Sequence, residues 1–175
     1  MKFFKTISDA VPETQYQYVF SGSESDCYLN KENSKILRKL TLPWDEMFDL
    51  EESTNIHNEL FPETSYTIIG YVENPWREGE VFRMVRDQDY FGEYQTLFEY
   101  CAEKVQNNSS KSSELFERLF EQLVVPYMLA KGCVRDKGAF IYKNYRIDDL
   151  KDQNIMINDS QEVIVIDCLI NKLKQ

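Results

Sequence analysis

Along residues 15–41 apolar side chains recur with period two. Tyr16, Tyr18 and Phe20 alternate with Gln15, Gln17 and Val19, a spacing that predicts a strand. The polar run 21–26 reads as a turn, Cys27-Tyr28-Leu29 as a second strand, residues 30–34 as another turn and residues 36–40 as a third strand. From Pro43 the period lengthens: Trp44, Met47, Phe48, Ile56 and Leu60 share one face of a predicted helix, which residues 61–64 stop. The β-rich runs 66–72 and 81–85 flank a turn that carries Pro75 and Gly79. Residues 15–86 therefore predict three strands, a helix and two strands, whereas residues 1–14 show no clear period and read as a loose lead-in.

Residues 87–92 read as a crossing to a second half. Tyr94, Leu97, Phe98, Cys101 and Val105 have helical spacing. The low-complexity run 107–113 reads as a flexible loop, with Ser113 capping a helix whose apolar face carries Leu115, Phe116, Leu119, Phe120, Leu123, Val124 and Met128. Pro126 lies inside that pattern, so the helix must kink or be interrupted there. Gly132 ends it, and residues 140–142 suit a short strand. The expected divisions are 1–14, 15–91 and 92–175.

Composition narrows the chemistry. The chain has 175 residues, a formal net charge of −10 and 42% hydrophobic residues. That is enough for a packed core in one domain or two small lobes. The charge argues against nucleic acid or an anionic membrane as partner. No apolar run approaches a membrane span, and the N-terminus lacks the apolar core of a signal peptide. Cys27, Cys101, Cys133 and Cys168 are scattered, without a C-x-x-C pair, and His57 is the sole histidine. Buried free thiols in the cytoplasm are the expectation, and zinc is not. His57, Trp44 and Trp76 read as packing residues.

The candidate chemistry lies at residues 147–167. An acidic loop, a short apolar strand, a polar turn and a second apolar strand ending on Asp167 predict a hairpin. Such a hairpin brings Asp149, Asn154 and Asp167 to one end of its strands. Two carboxylates and an amide oxygen form a hard-oxygen set of the kind that suits Mg²⁺ carrying a phosphate substrate.

Asp149 to Asn154 spells D-L-K-x-x-N, and Asp167 follows Asn154 by 13 positions. This resembles the catalytic loop and metal-binding Asp of protein kinases. A narrower likeness lies in residues 58–66 (N-E-L-F-P-E-T-S-Y) with Ile69-Gly70-Tyr71 after them, which resemble the compact kinase domains of bacterial polyvalent proteins of mobile elements. The likeness covers roughly residues 15–170.

The resemblance implies an α+β, truncated protein-kinase-like fold. A small antiparallel five-stranded N-lobe with one helix would precede a reduced, mostly helical C-lobe that ends after the hairpin. It implies ATP and Mg²⁺ as cofactors, and a nucleotide and a protein substrate or partner as ligands. Asp149 would orient the acceptor hydroxyl, Lys151 offset charge on the transferring group, and Asn154 and Asp167 hold metal. Gly22 falls where a glycine-rich loop would cover the phosphates. Lys39 falls near the phosphate-pairing lysine, with Lys35 and Arg38 as alternatives. Glu59, or else Glu51 or Glu52, is its implied helix partner.

Departures from the kinase pattern are equally plain. There is no G-x-G-x-x-G, His-Arg is replaced by Ile147-Asp148, and the DFG triplet by Asp167-Cys168-Leu169; eight residues follow Asp167, so no activation segment or substrate platform is expected. Two readings of different class follow: a minimal ATP/Mg-dependent serine/threonine/tyrosine phosphotransferase, or a catalytically idle kinase-like module that binds a partner protein. A small-molecule phosphotransferase is a third.

Overall fold

The structure, a computed structural model, describes residues 2–22, 25–42, 47–78 and 80–173, with the side chains of residues 47–49 outside that description. The expectations for Ser23, Glu24, Pro43, Trp44 and Gly79, and for the side chains of Met47 and Phe48, therefore lie outside the described residues.

The elements are, in chain order, β1 (Lys2–Phe4), α1 (Ile7–Ala10), β2 (Tyr16–Ser21), β3 (Ser25–Asn30), β4 (Ile36–Thr41), α2 (Met47–Leu60), a 3₁₀ turn (Pro62–Thr64), β5 (Tyr66–Glu73) and β6 (Val81–Asp89). Then come β7 (Gln95–Thr96), α3 (Leu97–Lys104), α4 (Ser109–Leu119), a π-helical turn (Phe120–Val124) and α5 (Val125–Ala130). The last elements are β8 (Val134–Asp136), β9 (Ala139–Tyr142), β10 (Tyr145–Asp148), β11 (Ile155–Ile157), β12 (Val163–Val165) and β13 (Leu169–Lys172). The chain divides into two compact units: Met1–Asn58 with Ser65–Phe91, and Glu59–Thr64 with Gly92–Gln175.

The first unit is built on a six-stranded sheet in the order β1-β5-β6-β4-β3-β2. The expected five antiparallel strands are there, and a sixth, β1, adds in parallel to β5. Residues 1–14 are thus not a loose lead-in. Thr6 and Asp9 form a reciprocal capping box on α1, which satisfies two orphan amides at once. Phe4, Ala10 and Val11 pack with Tyr16, Leu40, Val72 and Val85 on one face of the sheet. Gly70 makes the β1 contact possible: a Cβ there would stand 2.0 Å from the Lys2 carbonyl oxygen. The residue is a glycine because another backbone passes where a side chain would begin.

The other face meets α2. Ile56, His57 and Leu60 are buried, and the His57 ring lies 4.9 Å from that of Tyr66, in keeping with a packing role. Alternation along β4 sends Leu40 into the N-terminal cluster and its neighbours Lys39 and Thr41 to the helix side.

The second unit is less helical than expected. It holds a four-stranded sheet, β13-β10-β9-β8, and a three-stranded sheet, β12-β11-β7. Of these strands only β9 and the β11–β12 hairpin are legible as apolar runs. Ile147 and Asp148, read as part of a loop, lie on β10.

The helices also differ from the expectation. Leu97, Tyr100 and Cys101 form the buried face of α3, and Phe98 is 47% exposed. The segment taken as a flexible loop starts α4. Asn108 is the cap, its Oδ1 accepting from the Lys111 amide at 3.1 Å, and Ser113 lies a turn inside the helix. Pro126 is accommodated without breaking the rod. The preceding turn widens, so that the Val125 amide reaches the Phe120 carbonyl, five residues back, and Pro126 follows in the first turn of α5. After α5, Gly132 adopts φ 85°. Its amide donates to Leu129 and that of Cys133 to Met128, the paired bonds of a glycine-capped helix end. Among the described residues no helix is long and apolar enough to cross a membrane. The four cysteines are free, three of them buried, and burial raises the Cys133 thiol to about 11. Trp76, expected to pack, is 79% exposed and meets only the edge of Phe82.

Candidate functional site

Two ladders in the second unit assemble the acidic positions. The β11–β12 hairpin pairs Ile155 with Val165, and the Ile166 amide extends it by donating to the Asn154 carbonyl at 2.9 Å. Asn154 and Asp167 therefore leave the same end of that hairpin. The second ladder pairs β10 with β13, setting Asp148 opposite Leu169. The chain thus enters the loop at Asp149 beside the point where it leaves Asp167 and Cys168.

Asp149 is held in a left-handed conformation, φ 59°, which a short polar side chain tolerates better than most. The Asn154 Nδ2 donates to the Asp149 carbonyl oxygen at 2.8 Å and to its Oδ2 at 3.1 Å. The Lys151 amide donates to the same carbonyl at 2.7 Å, and the exposed Lys151 ammonium pairs with Asp149 Oδ1. Asp167 is half-buried and its Oδ1 accepts from the Cys168 amide at 3.0 Å.

The arrangement bears on metal binding. The amide nitrogen of Asn154 is committed to Asp149, and its oxygen is engaged by no protein donor among the described residues. An amide oxygen and a carboxylate are hard donors of the type Mg²⁺ takes, with water and substrate filling the remaining positions. Asn154 and Asp167 fit that ion. Among the described residues no group of three or more His, Cys, Asp or Glu side chains gathers as a metal cage.

A buried anchor stands directly behind this end of the hairpin. Thr64, wholly buried, donates to the Val165 carbonyl at 2.6 Å, two residues before Asp167. Next to it Glu63 takes hydrogen bonds from Lys131, at 2.7 and 2.8 Å, and from the Tyr127 hydroxyl, while Phe61 stacks on the Tyr127 ring. Burial pushes the Glu63 carboxyl up, but the Lys131 and Tyr127 bonds outweigh it and leave it below its ordinary value. Burial and the neighbouring carboxylate raise the Tyr127 hydroxyl.

In the first unit the basic candidates separate cleanly. Lys35 is exposed. Arg38 faces the N-terminal segment: its Nε and Nη2 donate to Asp87 at 2.7 and 2.8 Å, and its Nη1 to the Ala10 carbonyl at 2.9 Å. Lys39 is only 4% exposed, on the helix side of the sheet, and donates to the Tyr66 hydroxyl at 2.8 Å. Tyr66 is itself fixed by Asn58, whose side chain bonds both its amide and its carbonyl at 2.7 Å. The two ends of the 58–66 motif thus hold each other, and its last residue is the hydrogen-bond partner of Lys39.

Two further sequence candidates have hydrogen-bond partners of their own. Glu59, taken as the helix partner of Lys39, is exposed and bonded to Lys143 and Tyr142. It lies in the last turn of α2, where the chain passes into the second unit. Glu51 is occupied by the hydroxyl of Tyr71, and Glu52 is half-buried on the same helix. Gly22 closes the β2–β3 turn, its amide donating to the Ser25 carbonyl at 2.8 Å. Among the described residues a Cβ on Gly22 would meet nothing closer than the Ser25 carbonyl oxygen at 3.8 Å.

The structure also brings in a residue that sequence reasoning passed over. Arg86, on β6, is the direct cross-strand neighbour of Lys39 and is also only 4% exposed. Its signal in the sequence is the one cation on the alternating face Met84–Arg86–Gln88.

Comparison with known proteins identifies the family. Residues 5–112 match the family model described as Serine/Threonine/Tyrosine Kinase found in polyvalent proteins. The match covers more than half of the 175 residues. It takes in α1 and the 58–66 motif and ends before the 149–167 hairpin. No curated protein matches the chain. The chain belongs to this kinase family of polyvalent proteins.

Proposed function

From that membership we propose that the protein is an ATP- and Mg²⁺-dependent phosphotransferase of the serine/threonine/tyrosine kinase type. The observation that carries the reading is the pair of ladders that bring Asp149, Asn154 and Asp167 to one end of their strands. In this reading Asp149 orients the acceptor hydroxyl and draws off its proton, with Asn154 and Lys151 fixing the carboxylate. Lys39 pairs with phosphate oxygens and Tyr66 fixes its ammonium. Asn154 and Asp167 hold Mg²⁺, which when bound supplies neutralising charge to the phosphates. Lys39 replaces the choice among three basic residues because burial next to a fixed tyrosine limits where its charge can go. Glu52 replaces Glu59 as the proposed helix carboxylate of the ion pair.

Isothermal calorimetry with Mg·ATP tests the reading. Wild-type protein is expected to bind, and Asp167→Ala to lose the dependence on Mg²⁺. No binding by the wild type at millimolar nucleotide would sink the proposal, and an unchanged Mg²⁺ dependence in Asp167→Ala would remove the metal assignment.

A second reading has one observation in its favour. The Gly22 turn carries a single glycine, where a loop that lets backbone approach phosphates takes several. A kinase-like module that binds a partner protein without transferring phosphate fits that turn. Nucleotide binding without labelled phosphate appearing on any acceptor, together with a cellular phenotype untouched by Asp149→Asn, would favour it.

A further inference from the structure

A guanidinium taken out of water needs a counter-charge, or it costs several kcal/mol of folding free energy. Arg86 has none among the described residues. Its Nη1 donates to the Thr54 hydroxyl and its Nη2 to the Thr41 hydroxyl, each at 3.0 Å. Its plane lies 4.1 Å over the Tyr66 ring, and its Nε is buried without any partner. Both hydrogen-bonded partners are neutral, and one N–H is unspent.

Lys39 stands opposite it in the β4–β6 ladder, on the same face and in contact with the same tyrosine. Two cations, both almost wholly buried, therefore meet the same ring. The chain of contacts continues outward: the Thr41 hydroxyl is 2.8 Å from that of Ser25, and Ser25 is the residue whose carbonyl closes the Gly22 turn. Ser25, Lys39, Thr41 and Arg86 thus line a continuous stretch of the sheet, rich in N–H and O–H donors.

We propose that Arg86 is a second anion-coordinating group beside Lys39, and that this stretch takes the oxygens of a polyphosphate chain. The fork of the guanidinium suits two oxygens of a phosphate, whereas the lysine acts as a point charge. The ligand is the triphosphate of a nucleotide in so far as the inference rests on the proposed function; the chemistry it requires is that of the polyphosphate alone. A buried cation kept for a ligand also predicts a trade-off: without that ligand, an apolar side chain of similar volume serves the fold better.

The test uses inorganic tripolyphosphate and Mg·ATP as separate probes, read by calorimetry and by thermal unfolding. Wild-type protein is expected to bind tripolyphosphate and to unfold at a higher temperature in its presence. Arg86→Met is expected to unfold at the same or a higher temperature than wild type without ligand, and to lose at least about tenfold in tripolyphosphate affinity. Arg86→Lys keeps the charge but not the fork, and guards against a methionine variant that fails to fold. It is expected to bind several-fold more weakly than wild type.

Unchanged affinity in either variant overturns the inference. So does a wild type that binds no tripolyphosphate, or an Arg86→Met protein that is less stable yet binds normally. Wild-type binding of tripolyphosphate but not of Mg·ATP upholds the anion site and removes the nucleotide reading. Binding of Mg·ATP that is indifferent to Arg86 does the reverse.

Discussion

The two units keep their candidate chemistry under opposite conditions. In the first, the charges are positive and buried: Lys39 and Arg86 lie on one side of a sheet, held by hydroxyls and an aromatic ring. In the second, the charges are negative and partly exposed: Asp149 and Asp167 are half-buried at the end of a hairpin, fixed by amides and a solvated lysine. Burial of a cation favours ligands that bring negative charge and shed water. A carboxylate still reached by water can exchange protons and share a hard metal with solvent ligands. The proposed function accordingly assigns the anion to the first unit and the cation and proton to the second. Part of that division is visible along a single strand, where Leu40 and Lys39 are adjacent in sequence and opposite in role.

The contrast can be attacked at several points. The largest effect is expected at Asp149. Asp149→Asn should lower phosphoryl transfer by about 10²- to 10⁴-fold, as loss of a general base does. The far-ultraviolet circular dichroism and melting temperature should stay near wild type, because the residue is on a loop and already meets solvent. A matching loss of fold would mean that the carboxylate is structural.

Next come the adjacent residues of β4. Leu40→Ala removes a wholly buried side chain from the N-terminal cluster and is expected to cost about 3 kcal/mol in urea unfolding. Lys39→Met should weaken nucleotide binding while lowering the urea midpoint less than Leu40→Ala does. Equal destabilisation by both would erase the distinction between the two faces.

The smallest effect concerns Glu63. Its carboxyl is held below the ordinary value of 4.5 in the folded chain. The folded state thus binds fewer protons than the unfolded one, and the resulting stability is present above that value and lost as the pH falls below it. Glu63→Gln should cost about 0.5 to 1 kcal/mol near neutrality, given a partly exposed pair, and should flatten the acid limb of stability against pH below about 4.5. An acid limb of wild-type steepness in the variant would show that Glu63 contributes nothing to it.

Much of the first unit was legible in the chain because its strands alternate and its turns carry glycine, asparagine and serine. What escaped were elements whose periods are too few to count. β1 has three residues and β8 another three, and the two-residue turns at Lys137-Gly138 and Lys143-Asn144 lack the usual asparagine–glycine or aspartate–glycine signature. α4 began early because Asn108 and Ser113 are both acceptable caps, and only packing chose between them. Among the site residues, the spacing from Asp149 to Asn154 to Asp167 was readable because two flanking strands must converge for the ladder to form. Arg86 was not, since a cation on a strand reads as solvated until the helix that covers it is known. The surroundings of Glu59 were hidden for a related reason: three glutamates on α2 look alike in sequence, and its bonds to Lys143 and Tyr142 span more than 80 residues.

The interleaved division of the chain has a consequence for how such a protein can be cut. Residues 59–64 belong to the second unit, although the first unit resumes after them. They bring with them Phe61, stacked on Tyr127, and Thr64, tied to the strand that ends at Asp167. A fragment starting at residue 92 would carry Asp149, Asn154 and Asp167 and still lack the plug and the tether behind them. Neither half is an excisable cassette: a recombination event or an engineered truncation must transfer the six-residue insert along with the segment it serves, or deliver a hairpin with nothing at its back.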